Sequence, residues 1–326
     1  MRLTDGERSP ALMSARSTRT VPGLSSLVHR TREEVADLTA RGVQYFREGP
    51  VGCPLAGRCV GIWFQMTSTR TRTAFTVATV RLGGTPITFG PNDLQIATGE
   101  TEEDTARVMG SMLDGIVVRS TGSSSDLERL QSSAGVPVVN AMSSDEHPTQ
   151  GLCDLATLAL HLGPLNGRRV LYVGEGNNSA SALARAAALT PGLHVRLVVP
   201  PSYGLDEAIV RDADLQARVA GGSISQDHDV AGLDGGYDAV YTTRWQTTGT
   251  SKADPGWRSQ FEPYRVDAAL MERMPGAIFL HDLPAHRGDE VTGEVLDGPR
   301  SVAWDQARMK LYSAMAVLEH VIGPRG

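Results

Sequence analysis

The segment Ser68-Thr69-Arg70-Thr71-Arg72 brings hydroxyl and guanidinium side chains together where an apolar run gives way to a helix-compatible run. The first turn of a helix offers unpaired backbone N–H groups and the positive end of its dipole. Hydroxyl and guanidinium groups add hydrogen bonds to phosphate oxygens. The segment therefore predicts a phosphate-binding site built without a Walker glycine loop. The alternative is a Ser/Thr helix cap followed by solvated arginines.

A second polar group, His147-Pro148-Thr149-Gln150, follows the apolar run VPVVN. A neutral imidazole can donate a hydrogen bond to a carbonyl oxygen, and the amide of Gln150 can contact an amino substituent on the same carbon. Together they predict recognition of a carbamoyl group. Arg119, at the end of the apolar run GIVVR, is a further candidate cation. The alternatives are a capping or surface histidine at 147 and an ordinary exposed arginine at 119.

The third segment whose residues could take part in chemistry is His281–Gly288 (HDLPAHRG), which follows the apolar run AIFL. It is therefore predicted at the carboxyl end of a strand, the edge at which open α/β sheets bind ligands. A loop there can aim backbone carbonyls at an NH2 group.

Apolar runs of strand length alternate with helix-compatible stretches along the chain, which indicates parallel sheets with right-handed crossovers. A helix is predicted over Thr31–Phe46, and another over 147–163 is predicted to link two lobes. A fresh α/β pattern begins near Arg169, and a Ser-rich turn is predicted over 121–133. The predicted strands are CVGIWF, PITFG, GIVVRS, VPVVN, VLYVG, VRLVV, DAVYTT and AIFLHD.

Length and charge limit the classes of protein that fit. A chain of 326 residues exceeds the size at which one core usually keeps growing, so two domains with a cleft between them are expected. The formal net charge of -6 gives no general polyanion-binding surface, so nucleic acid is not an expected partner. Any phosphate site must therefore be local.

Cysteine usage and the terminal segment bear on the compartment. Cys53, Cys59 and Cys153 form neither a CxxC pair nor a disulfide framework, which suits a reducing compartment and gives no support for a metal site. A signal peptide and a membrane-spanning window are not apparent, so no membrane partner and a cytoplasmic location are expected. Residues 1–20 are expected to be a flexible terminus, because acidic residues and the lack of an amphipathic pattern disfavour a transit peptide.

Several motifs occur in the order typical of one family: STRTR, EEDTARVM, HPTQGLCDL, VGEGNN and HDLPAHRGDEVTGEVLDGPRSVAWDQA. From about Thr31 to its C-terminus the chain resembles aspartate/ornithine carbamoyltransferases, and the ornithine type more closely. The resemblance implies an α/β fold with two doubly wound domains, whose parallel sheets are joined by linking helices. It implies a carbamoyl phosphate-binding domain at 21–148, completed by a C-terminal helix at 306–323, and an amino-acid-binding domain at 149–305.

The resemblance also implies a homotrimer with active sites at subunit boundaries and no cofactor or metal ion. Gln95 is expected to reach a neighbouring subunit's site, and the backbone of Leu283 to accept a hydrogen bond from the carbamoyl NH2. The candidate residues for carbamoyl phosphate binding are Ser68, Thr69, Arg70, Thr71, Gln95, Arg119, His147, Gln150, Leu283 and Lys310. The candidate catalytic residues are Arg119, His147 and Asp282. The candidate residues for amino-acid binding are Asn178, Thr243, Arg244, Gln246 and Asp282.

Two departures from the ornithine type concern residues beside the reacting centre. Asp282 stands where the motif HCLP has cysteine, and a carboxylate there can bind an ammonium group or take its proton. The alternative is that Asp282 only satisfies loop N–H groups. Lys310 stands where an arginine is expected, which keeps the charge but loses the planar fork. Asn178, in contrast, retains the ornithine-type pattern and is a candidate ligand for the amino acid's carboxylate.

The third departure lies in the segment 242–249, TTRWQTTG, where ornithine enzymes have TDxWxSMG. The aspartate that grips the substrate's α-ammonium is absent. The segment instead resembles the TRxQ of aspartate carbamoyltransferases, so Arg244 is expected to bind a carboxylate with help from Gln246. The alternative is a solvated loop arginine.

The sequence predicts an enzyme that transfers the carbamoyl group of carbamoyl phosphate to the amine of an amino acid and releases phosphate. The acceptor is expected to be ornithine or a related diamino acid, and a shorter one such as 2,3-diaminopropionate is the alternative. A catalytically silent homologue that binds carbamoyl phosphate is a further alternative. A dinucleotide enzyme fits less well, because GEGNN lacks the GxGxxG spacing.

Overall fold

The first domain consists of a four-stranded sheet and its surrounding helices. The computed structural model describes residues 23–247 and 250–324, so the terminus expected at 1–20 lies outside the described residues. A capping box formed by Thr31 and Glu34 begins the first helix. The elements are α1 (Arg32–Glu48), β1 (Cys59–Phe64), α2 (Arg70–Arg81), β2 (Thr85–Phe89), α3 (Glu102–Gly110), β3 (Gly115–Arg119), α4 (Ser124–Ala134) and β4 (Val138–Asn140).

All strands of this sheet are parallel, in the order β2-β1-β3-β4. Strands β1 and β3 are almost entirely buried, which is why they read as continuous apolar runs. Phe64 at the end of β1 pairs with Arg119 at the end of β3. The loop that carries residues 68–72 therefore begins at the same sheet edge as Arg119.

The second domain is built on a five-stranded parallel sheet. The elements from the linking helix onward are α5 (Pro148–Leu162), β5 (Arg169–Val173), α6 (Asn178–Ala188), β6 (His194–Val198), α7 (Glu207–Val219), β7 (Ser223–Asp227), β8 (Ala239–Thr242), α8 (Trp257–Phe261), α9 (Ala268–Glu272), β9 (Ile278–His281), α10 (Gly293–Leu296) and α11 (Ala303–Ile322). The strand order is β7-β6-β5-β8-β9. Thr242 pairs with both Val173 and His281, so the carboxyl ends of β5, β8 and β9 lie side by side.

Helices α5 and α11 join the two domains. The first part of α5, from Pro148 to Leu158, is buried throughout. Helix α11 packs against α1, α2 and α5, which returns the end of the chain to the first domain. The predicted fold of two doubly wound α/β domains with parallel sheets and linking helices is confirmed. The domain limits remain a prediction, and α11 begins at Ala303 rather than at 306.

One local prediction needed correction, and one strand was not predicted. The Ser-rich turn predicted over 121–133 is wrong, because most of that segment forms helix α4. Ser123 and Asp126 form a capping box there, and Leu127 and Leu130 are buried on one face. The polar sequence of β7 gives no strand signal, since this edge strand buries only Ile224.

Among the helices of the described ranges, none combines the length and apolar character needed to cross a membrane.

Candidate active site

A cavity of about 320 Å³ lies in the cleft between the two domains. This volume is in the range of small-molecule sites. Both sheets contribute the carboxyl ends of their strands to its walls, as expected for open α/β sheets. Among the predicted site residues, those that line it are Ser68, Thr69, Arg70, Thr71, Arg119, His147, Gln150, Asn178, Thr243, Arg244, Gln246, Asp282, Leu283 and Lys310.

The start of α2 forms the first wall of the cavity. Thr69 occupies the N-cap position of α2 but makes no side-chain cap hydrogen bond, and Thr71 is buried within the first turn. Ser68 Oγ accepts a long hydrogen bond from Arg119 Nη1, at 3.5 Å. Arg70 is half-buried and lines the cavity. This arrangement does not fit a simple Ser/Thr cap with solvated arginines, and it leaves hydroxyls and backbone N–H groups available to an anion.

Arg119 is buried at the end of β3, with only 7% of its surface exposed. Its Nε atom is buried and has no hydrogen-bond partner among the described residues. Burial, and then the nearby charge of Arg70, lowers the pKa of Arg119 to about 10, against the opposing effect of Asp282. Burial likewise lowers the pKa of Arg70. Both guanidinium groups remain charged at neutral pH, so this crowded cationic wall favours a bound anion.

His147 is buried beside this wall, which contradicts the alternative of a surface histidine. It occupies the N-cap position of α5 but its side chain makes no cap hydrogen bond, so the capping alternative is also wrong. Burial, followed by the charges of Lys310 and Arg119, holds the pKa of His147 well below its ordinary value. A neutral imidazole at this position can donate one ring N–H to a ligand oxygen.

Gln150 joins a buried hydrogen-bond network that sequence reasoning did not predict. Its Nε2 donates to Asp154 Oδ1 at 2.6 Å, and its Oε1 accepts from Lys310 Nζ. Gln306 Nε2 donates to the same Asp154 oxygen at 2.7 Å. The spacing of Gln150 and Asp154, four apart in a predicted helix, was the available signal, because such residues lie on one helical face.

The loop after β9 forms the opposite wall of the cavity. Both oxygens of Asp282 accept hydrogen bonds from hydroxyl groups, namely Thr243 Oγ1 and Ser179 Oγ, each at 2.8 Å. The N–H of Leu283 donates to His281 Nδ1 at 2.8 Å, and Leu283 has a φ of 54°. The loop is thus folded back on the buried end of its own strand.

The segment 243–247, which follows β8, lines the cavity on the side of the second domain. Arg244 is half-buried, and its Nε has no hydrogen-bond partner among the described residues. The segment is held by Glu175, which accepts from Thr247 Oγ1 at 3.1 Å and pairs with Lys252. Lys252 Nζ lies 4.8 to 5.4 Å from the ring centroids of Tyr203, Trp257 and Phe261. Sequence reasoning missed both ions of this pair; only the position of Glu175 within VGEGNN was a signal.

Two predicted residues differ from the others in their surroundings. Gln95 is exposed and does not line the cavity; its Oε1 accepts from Thr98 Oγ1 at 2.9 Å. Its reach into a neighbouring subunit therefore stays a prediction. Asn178 lines the cavity, and its Nδ2 donates to the Ser143 carbonyl at 2.9 Å.

Residues 23–247 and 250–324 contain no cluster of His, Cys, Asp or Glu suited to hold a metal ion.

The fold and the cavity define a two-domain α/β protein whose cleft is lined by several cationic side chains. Comparison with known families identifies the family to which this chain belongs. The model described as "Aspartate/ornithine carbamoyltransferase, carbamoyl-P binding domain" matches residues 15–159. The model described as "Aspartate/ornithine carbamoyltransferase, Asp/Orn binding domain" matches residues 166–321. The chain belongs to the aspartate/ornithine carbamoyltransferase family.

Individual relatives agree with this assignment. An ornithine carbamoyltransferase of Parafrankia sp. is 41% identical over 274 residues, which cover 84% of this chain and 86% of the relative. The solved ornithine carbamoyltransferase of Pyrococcus furiosus superposes with a TM-score of 0.87 at 36% identity, covering 94% of this chain and 98% of that one. The solved enzyme of Gloeobacter violaceus gives a TM-score of 0.83 at 36% identity, covering 94% and 100%.

Proposed function

We propose that this protein transfers the carbamoyl group of carbamoyl phosphate to an amine of an amino acid. The observation that carries the proposal is the convergence of Arg70, Arg119, the neutral His147 and Gln150 on one cavity. The first two supply positive charge for a phosphate, and the last two match the oxygen and the NH2 of a carboxamide. Asp282 and Arg244 line the same cavity and suit an acceptor that carries both an amine and a carboxylate.

The proposed reaction forms a C–N bond and breaks the C–O bond to phosphate. The amine nitrogen attacks the carbonyl carbon, and the negative charge that develops on the carbonyl oxygen is stabilised by Arg119, His147 and Thr71. The phosphate leaves into the wall formed by the start of α2. The nitrogen loses one proton, for which Asp282 is the proposed acceptor. A silent homologue would have no need of this complete set of groups.

The proposed acceptor is ornithine or a related diamino acid. Asp282 would face its reacting amine, while Arg244 and Gln246 would bind its carboxylate, with Asn178 beside them. A specific observation favours a shorter acceptor such as 2,3-diaminopropionate. Arg244 lines the same 320 Å³ cavity as Asp282 and has a buried, unpaired Nε among the described residues, so a carboxylate close to the reacting amine would pair with it.

Phosphate release from carbamoyl phosphate, measured with a panel of amines, tests the proposal. The panel comprises ornithine, 2,4-diaminobutyrate, 2,3-diaminopropionate and the matching diamines without a carboxylate. Turnover with at least one diamino acid is expected, and its complete absence would reject the function. Ornithine outperforming every shorter diamino acid would reject the altered acceptor.

The variant R244L tests the proposed carboxylate contact of Arg244 in the same assay. Loss of a charge-assisted contact should raise KM for the carboxylate-bearing acceptors about 10- to 100-fold. The diamines that lack a carboxylate should be used equally well by both proteins. R218L serves as the matched control, because Arg218 pairs with Asp214 on the exposed face of α7. A uniform loss across the whole panel would argue against a carboxylate contact for Arg244.

The proposal extends to a cytoplasmic homotrimer in which Gln95 completes the site of a neighbouring subunit. Sedimentation equilibrium gives the mass of the assembly directly. Mixing inactive H147A with inactive Q95A subunits should restore part of the turnover, because some sites in the mixed trimers combine two intact contributions. A monomeric mass, or no restoration on mixing, would reject this part of the proposal.

A further inference from the structure

Asp154 lies on α5, one helical turn after Gln150, and is completely buried. A single oxygen of its carboxyl group, Oδ1, accepts hydrogen bonds from two side-chain amides. One comes from Gln150 Nε2 at 2.6 Å and the other from Gln306 Nε2 at 2.7 Å. Asp154 itself does not line the cavity.

These two bonds determine which way each amide faces. An amide carries a donor nitrogen and an acceptor oxygen at nearly equivalent positions, and only the nitrogen can bond to the acceptor Oδ1. The reversed orientation would place a carbonyl oxygen against Asp154 and leave buried polar groups unpaired, which is costly. The oxygen of Gln150 must therefore face the other way, where it accepts from Lys310 Nζ at the cavity wall.

The second amide extends the same constraint to the opposite wall. With its nitrogen on Asp154, Gln306 presents Oε1 to the backbone N–H of His281, at 2.8 Å. His281 Nδ1 in turn accepts from the N–H of Leu283, at 2.8 Å, while its Nε2 lies 3.1 Å from Glu290 Oε1. A continuous chain of hydrogen bonds thus links Asp154 to the loop that contains Leu283.

We infer that Asp154 is a positioning residue that makes the site selective for a carboxamide over a ketone or acyl group of the same shape. This inference rests on the proposed function. By orienting Gln150 directly and the 281–284 loop through Gln306, Asp154 fixes the Gln150 oxygen at the cavity wall and holds the loop whose Leu283 carbonyl is the proposed acceptor for the NH2. A methyl group there would offer no donor to these oxygens, and the Gln150 oxygen would keep only its bond from Lys310. A site built to bond a donor rejects an analogue that lacks it.

Two unreactive phosphonates provide the test without turnover. Phosphonoacetamide carries the NH2 group, and phosphonoacetone replaces it with a methyl group of similar size. Calorimetric Kd values of both are measured for the wild type, D154L and D154N. The wild type should prefer the amide by at least ~10-fold. D154L should bring the ratio of the two Kd values close to one, because Leu offers no acceptor to either glutamine.

D154N should keep the ratio within about threefold of the wild type, since its Oδ1 can still accept from both amides. T157V is the matched control, because Thr157 is buried one turn further along α5 and donates to the Cys153 carbonyl, at 2.7 Å, rather than to Asp154 or either glutamine. If D154L does not fold, Q306M replaces it. That variant breaks the link to His281, so the ratio should fall while T157V leaves it unchanged.

The outcomes separate this inference from the proposed function. An equal weakening of both phosphonates in D154L would indicate a purely structural role and overturn the inference. So would a wild-type protein that catalyses carbamoyl transfer but shows no preference for the amide. A wild type that binds neither phosphonate and releases no phosphate with any amine would reject the function and the inference together.

Discussion

Thr243 Oγ1 donates a 2.8 Å hydrogen bond to Asp282 Oδ1, which joins the carboxyl ends of β8 and β9. The other carboxylate oxygen accepts from Ser179 at the start of α6, also at 2.8 Å. Both partners are hydroxyls rather than loop N–H groups, so the alternative explanation of Asp282 as a loop cap is not what the structure contains. The ends of two strands and the start of one helix thus fix one carboxylate at the cavity wall.

The first prediction concerns the charge of this carboxylate. D282N should lower kcat/KM for every amine about 10²-fold, because the amide can neither attract an ammonium group nor take its proton. S179A, which removes one hydroxyl and keeps the charge, should cost far less. D282C, which recreates the HCLP motif, should shift the preference toward ornithine. Steady-state kinetics with the amine panel measures all three, and unchanged kcat/KM in D282N would contradict the assigned role.

A second prediction concerns Arg119. R119M should reduce kcat about 10²- to 10³-fold, the cost typical of losing one group that stabilises an oxyanion. The guanidinium is buried and one of its nitrogens is unpaired among the described residues, so it is available to a ligand oxygen. R107M is the control, because Arg107 pairs with Asp104 on the exposed surface of α3. Single-turnover measurements would oppose the assignment if both variants kept the wild-type rate.

Third, the ion pair of Lys252 with Glu175 should anchor the segment that carries Arg244 and Gln246. Breaking a buried pair costs about 3–5 kcal/mol, because a buried charge is left without its partner. K252M should therefore lower the free energy of unfolding and raise KM for the acceptor. Urea unfolding and acceptor titrations measure these effects.

The pH dependence of stability and a double variant test whether charge burial causes the loss in K252M. Burial raises the pKa of Glu175, and Lys252 opposes that rise. Without Lys252, Glu175 protonates more readily, so K252M should lose less stability at about pH 5 than at about pH 8. The double variant E175Q/K252M has no charge to bury and should recover part of the loss. A pH-independent loss with no recovery would show that charge burial is not the cause.

Fourth, Asp154 should make stability depend on pH. Burial raises the pKa of Asp154 from its ordinary 3.8 to about 7. Between these values the folded protein keeps a proton that the unfolded chain has lost, so stability falls as pH rises through this window. D154N does not titrate. The Tm of D154N minus the Tm of the wild type should therefore rise between about pH 5 and about pH 8. A difference that stays constant or falls over this range would contradict the prediction.

Much of the site was predictable because its residues stand at the ends of recognisable elements. The apolar runs of β1, β3 and β9 identify buried parallel strands, and the loops that leave such strands gather at one sheet edge. Residues 68–72, Arg119 and 281–288 were located in this way. The segment of α4 was not, since its serines fit a turn as well as a helix cap.

The sequence alone determined the family, the α/β alternation and which polar segments lie at strand ends, because these depend on residue order and local periodicity. Only the tertiary structure decided that Asp154 serves both Gln150 and Gln306, and that Lys252 pairs with Glu175. These partners are far apart in the chain: two of these pairs span 152 and 77 positions. Long-range polar pairing leaves no periodic trace in a sequence, and its energy depends on the burial that the completed fold creates.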